Sequence, residues 1–247
     1  MTEGGGEREV PVRTQAETER SKYLYTQATK LLPEMRALFK GGKLTKREGW
    51  RNVAEHCFAQ AVALDILCDA LGIEGEEKRV IVSTAAVSDW DKRLEKRPQD
   101  FTEEERAEAE RLIEIVDPDP ELLEATEPEH FVRAYREGED SIPFRERLTH
   151  YVDDITKEGE WTSVEDRIRT LERSGRRADM MELSKDVGGV NFFDYIIAHE
   201  ERFETVLWAR LNERLKAQGR PEIERPGDIP QWLYSELDRR AKESKDA

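Results

Sequence analysis

Two cysteines, Cys57 and Cys68, are all the thiol chemistry in the 247 residues. They sit eleven positions apart in a helical stretch. A helix rises about 1.5 Å per residue, so that separation is beyond disulfide reach. A disulfide framework is excluded, and a reduced, cytoplasmic protein is expected. Long apolar runs are also missing: nothing approaches the roughly 18 residues that span a membrane, so no membrane partner is expected. The opening MTEGGGEREVPVRT has no apolar centre, so it does not read as a signal peptide, and residues 1–15 read as a disordered leader. Period-2 alternation and Asn-Gly or Asp-Gly hairpin turns are lacking too, which argues against a sheet. Positive charge is short: 40 Lys and Arg face 55 Asp and Glu, a net charge of −15. Such a surface repels polyphosphate at long range and excludes a nucleic acid polymer as partner, but not a small phosphorylated ligand in a locally basic pocket.

What is present is helical periodicity. Hydrophobic residues make up 37% and charged residues 38%, and the apolar ones recur at helical spacing from about residue 16 onward. Helices are expected over about 16–40, 50–71 and 76–96, then from Thr102, from Pro128, and over 142–156, 163–174, 191–218 and 232–242. Gly41–Gly42, Gly72 and Gly138 are stop signals. Thr102 with Glu105 forms a capping box. The fold class is therefore all-α: one helical domain over 16–175, with a helical extension over 176–247 packed on it.

Three polar stretches interrupt apolar helix faces. KREGWRNVAEHC puts Arg47, Trp50, Arg51, Glu55 and His56 at the start of one helix. AAVSDWDKR puts Ser88, Asp89, Asp91 and Lys92 at the end of another. YVDDIT carries Asp153 and Asp154, which on a helix point about 100° apart, so that one of them can face inward. A buried carboxylate is costly unless it is paired or bound to a metal. The plain alternative is solvated clusters, with Asp89 paired to Lys92 or Arg93. One imidazole and two carboxylates from three helices suit Mn, Fe, Co, Ni, Zn or Mg. EDRIRTLERSGRR, with Arg167 and Arg169, reads mainly as a solvated face paired with Glu165, Asp166 and Glu172. Histidines 130, 150 and 199 read as surface or satisfied core residues.

Together, NVAEHC, AAVSDWDKR and YVDDIT resemble the HD-domain superfamily of metal-dependent phosphohydrolases, in its nucleotidase-like branch. The resemblance covers about residues 20–170 and implies an HD-like helical bundle. It implies a divalent metal held by His56, Asp89 and Asp153, with Asp154 the alternative. Arg47 and Trp50, which resemble the branch's R-x-G-W stretch, and Lys92 would contact phosphate, with Arg167 a further substrate contact. Asp89 and Lys92 would act in catalysis, with Asp91 or Glu55 as the acid. The departure is Ser88, where the family places a metal-binding His; losing one imidazole weakens such a site. The resemblance thus leaves two readings: a phosphohydrolase acting on a nucleotide or small phosphoester, impaired at Ser88, or a degenerate relative that binds its phosphate ligand or a protein partner without turnover. A helical interaction module unrelated to phosphate is a third. Relatives often dimerise, which leaves a homodimer open.

Overall fold

The computed structural model describes residues 15–38, 51–90, 102–174 and 177–246. Within them the fold is all-α: twelve α-helices and one two-stranded antiparallel ladder. None of these helices is long and apolar enough to cross a membrane.

Helix α3, Arg51–Leu71, is the axis of the bundle. From Ala54 to Cys68 nearly every side chain is buried, the pattern of a helix covered on all sides. It packs against α1 (Gln15–Leu31), α4 (Gly75–Val87), α8 (Phe144–Ile155), α11 (Phe192–Ala217) and α12 (Ile229–Asp246). Gly72 ends α3 at φ +74°, with Ile73 N–H donating to Cys68 O at 2.8 Å and Gly72 N–H to Asp69 O at 3.3 Å. That pair of bonds is the Schellman stop, and its left-handed residue favours glycine. Asp65 and Asp69 on α3 accept from Lys78 of α4 at 2.5 and 2.6 Å and from Arg240 of α12 at 2.6 and 2.8 Å, joining three helices at one end.

The first expected helix, 16–40, is broken. Helix α1 stops at Leu31 and a short α2, Met35–Leu38, follows, because Pro33 has no N–H to continue the ladder. Of the third expected helix, 76–96, α4 covers the part up to Val87; Ser88 and Asp89 form a turn, Trp90 is helical again, and residues 91–96 lie outside the described residues. The capping box closes as expected on α5, Glu103–Val116: Glu105 N–H donates to Thr102 Oγ1 at 3.2 Å, and Thr102 N–H to Glu105 Oε2 at 3.0 Å. A short α6, Pro120–Glu124, was not anticipated; Asp119 caps it, accepting from Glu121 N–H at 2.9 Å. Helices α7 (Glu129–Glu137), α9 (Val164–Glu172) and α10 (Arg177–Glu182) complete the set.

A small hairpin follows α8. Strand β1, Thr156–Lys157, pairs with β2, Glu160–Trp161. Trp161 Nε1–H donates to Ala59 O at 3.2 Å, and Trp161 N–H donates to the Tyr234 hydroxyl at 2.7 Å. These bonds pin the C-terminal end of α8 to α3 and α12. Gly159 sits so close that an added Cβ would lie 3.2 Å from Glu55 Cβ.

Candidate functional site

The clamp at the end of α8 brings Asp153 to the first turns of α3. Asp153 Oδ1 lies 2.8 Å from His56 Nε2. Asp89, in the turn after α4, places Oδ2 3.9 Å from the same nitrogen. Side-chain exposures of 7% for His56, 16% for Asp89 and 23% for Asp153 leave the cluster at the edge of the core, within reach of solvent.

Gln60, one turn along α3 from His56, completes the arrangement. Its Nε2 is 2.5 Å from Asp153 Oδ1 and 3.0 Å from His56 Nε2, and its Oε1 accepts from the Ser88 hydroxyl at 3.2 Å. Ser88 Oγ also lies 3.1 Å from Ala85 O, in the last turn of α4. Both His56 Nε2–H and the Gln60 amide N–H can donate to Asp153 Oδ1. The turned-over amide would instead press an oxygen against that carboxylate. Ser88 therefore reaches Asp153 through Gln60. Nothing drew attention to Gln60 in the sequence beyond its position four residues after His56, on the same helix face.

The remaining expected site residues are placed as follows. Arg47, Trp50, Asp91 and Lys92 lie outside the described residues. Glu55 is buried, and its carboxyl faces the hairpin turn, Oε2 lying 3.7 Å from a Cβ built on Gly159. Asp153 and Asp154 divide as adjacent helical residues do: Asp153 faces His56, and Asp154 faces a separate buried cluster. Arg167 on α9 lies near enough to Asp154 to favour its charged form. Arg169, from the same basic stretch, pairs with Glu172 at 3.0 Å and Asp194 at 2.6 Å.

The cluster around Asp154 holds three of the four histidines. His150 Nε2 is 3.3 Å from Asp154 Oδ2, and its Nδ1 bonds to Ala125 O. The His130 ring stacks on His150 with centroids 4.7 Å apart, and His199 Nε2 lies 3.9 Å from Glu200 Oε1. Burial pushes Glu200 up to about 8 and raises Asp154 as well. Burial holds His130 down to about 2 and His199 to about 4, with His150 adding to both. Burial also opposes charge on His150, but Asp154 and Glu200 outweigh it and raise that ring to about 9. In the sequence these histidines read as surface or satisfied core residues; the signals that could have found the cluster are His150 and Asp154 at i, i+4 and the adjacent His199–Glu200.

Among the described residues, the His, Cys, Asp and Glu group whose ligand atoms all lie within 4.8 Å of one another is His150, Asp154 and Glu200. His56, Asp89 and Asp153 approach through His56 without closing to that span. No family model, curated protein or solved structure matches the chain.

Proposed function

We propose that the chain is an HD-type metal-dependent phosphohydrolase acting on a nucleotide or another small phosphoester. The observation that carries this reading is the approach of Asp153 and Asp89 to one nitrogen of His56, at 2.8 and 3.9 Å, from segments far apart in sequence. One imidazole and two carboxylates at a solvent-reachable edge are a donor set that Mn, Co, Ni, Fe, Zn or Mg accepts. A divalent ion held there would lower the pKa of a bound water and polarise a phosphoryl oxygen. In this reading Lys92 and Arg47 offset phosphate charge, Trp50 lines the substrate side, and Asp91 or Glu55 supplies the acid. Gln60 turns its amide N–H to Asp153 and its oxygen to the Ser88 hydroxyl, the position where the resemblance expects a further ligand.

A second reading, a phosphate-ligand binder without turnover, is favoured by one feature. The bonds linking Ser88, Gln60, Asp153 and His56 satisfy one another with no ion. Elemental analysis of protein purified without chelators, paired with phosphate release from nucleoside monophosphates, separates the two. A metal and activity both lost in Asp89→Ala support the hydrolase. Metal and activity gained only in Ser88→His support the binder. If neither protein hydrolyses the phosphoesters and Ser88→His gains no metal, both readings fall. An ion that survives Asp89→Ala belongs elsewhere in the molecule.

A further inference from the structure

We propose that His150, Asp154 and Glu200 form a second, buried site for a divalent transition cation, which ties α8 to α11. This site is independent of the hydrolase reading and uses none of its ligands.

The three side chains offer one imidazole and two carboxylates. Their ligand atoms lie within 4.8 Å of one another, and the residues are 2%, 5% and 1% exposed. The His150 Nδ1–H donates to Ala125 O, the bond that fixes a ligating imidazole and turns its Nε2 lone pair to the metal. That nitrogen faces Asp154 Oδ2 at 3.3 Å, off the line that a hydrogen bond takes. Asp154 Oδ2 and Glu200 Oε2 are buried with no hydrogen-bond partner. Two carboxylate oxygens without a partner therefore lie in one group with His150, whose Nε2 proton an ion would displace.

The neighbouring cations make no hydrogen bond to Asp154 Oδ2 or Glu200 Oε2. Arg133 is bonded to Glu146. Arg147 lies 3.9 Å from Glu139 and stacks over the Phe203 ring at 4.7 Å. Arg167 leaves its own Nε buried without a partner. Unpaired buried carboxylates are rare for good energetic reasons, and a bound cation is one of the few arrangements that satisfies two of them at once.

The ligand chemistry narrows the ion. One imidazole with two enclosed carboxylates suits Zn²⁺, Mn²⁺, Fe²⁺ or Co²⁺ better than Mg²⁺, which keeps several waters, or Ca²⁺, which takes about six to eight oxygens. All three ligands are enclosed, with His130 stacked against the ring of His150, so substrate has no approach. The ion's role is structural.

Cobalt(II) is the probe. In a His56→Gln/Asp89→Asn background, which removes two ligands of the solvent-reachable site, the expected result is one cobalt per chain. A visible d–d absorption and a raised thermal midpoint should accompany it. Adding Glu200→Gln or Asp154→Asn should abolish both signals, while the helical circular dichroism shows that the chain still folds. Cobalt retained in those variants overturns the proposal. So does a folded background that binds no cobalt, and this last measurement decides the matter even if neither added substitution folds. A failure of the hydrolase reading looks different, because it leaves the cobalt in this background unchanged.

Discussion

Gln60→Glu tests the network at the solvent-reachable site most directly. It removes the amide N–H that lies 2.5 Å from Asp153 Oδ1 and puts a carboxylate oxygen in its place. Two unit charges about 3 Å apart repel by roughly 5 kcal/mol at an effective dielectric of about 20. Taking up a proton instead caps the loss: holding a carboxyl of ordinary pKa, about 4.3, protonated at pH 7 costs about 3.7 kcal/mol. The 23% exposure of Asp153 screens part of this, leaving an expected loss of about 2–3 kcal/mol. For a domain of this size each kcal/mol moves the thermal midpoint by roughly 2–4 °C, so the midpoint should fall by about 4–12 °C. The assay is thermal denaturation followed by circular dichroism, in EDTA, at pH 7 and pH 5. The deficit should shrink at pH 5, where the second proton binds cheaply. With millimolar Mn²⁺ the variant should regain most of the loss, because a third carboxylate strengthens the ion site. A variant as stable as wild type in EDTA at pH 7 refutes the Gln60–Asp153 contact. A loss that Mn²⁺ leaves untouched refutes the metal reading.

The buried histidine cluster sets a pH dependence for the chelator-treated protein. Glu200 holds its proton up to about 8 and His150 up to about 9 in the folded chain, against ordinary values of 4.5 and 6.5. Above pH 6.5 the folded state thus binds more protons than the unfolded one, and stability falls as pH rises toward 9. A thermal midpoint that climbs over that range contradicts the assignment. Tyr151→Phe removes the hydroxyl that donates to buried Glu204 at 2.6 Å. It should cost about 1.5–3 kcal/mol in urea denaturation with an unchanged m-value, and a loss below about 0.5 kcal/mol sinks this account of the bond.

Much of the architecture follows from local sequence. The all-α class rests on helical periodicity and on stop signals such as Gly72, whose positive φ and paired bonds close α3 where the sequence placed its end. The Thr102–Glu105 box works through neighbours three residues apart, so it is legible without the fold. The break at Pro33 was equally local and could have been read from the missing N–H. The hairpin at 156–161 could not, since two-residue strands carry no pattern; it exists because Trp161 reaches Ala59 and Tyr234 from distant elements.

The sites divide the same way. Sequence alone marked His56, Asp89 and Asp153 as polar groups on apolar helices, and it marked Ser88 as a departure from a resembling pattern. Only the tertiary structure decided which of Asp153 and Asp154 faces His56, because that depends on the rotation of α8 about its axis. Only the tertiary structure could show Gln60 bridging Ser88 to Asp153, or gather His130, His150, His199, Asp154 and Glu200 from three helices. Periodicity reports which face of a helix is buried. What lies opposite that face is set by the packing of helices distant in the chain, and there ligand sets are assembled.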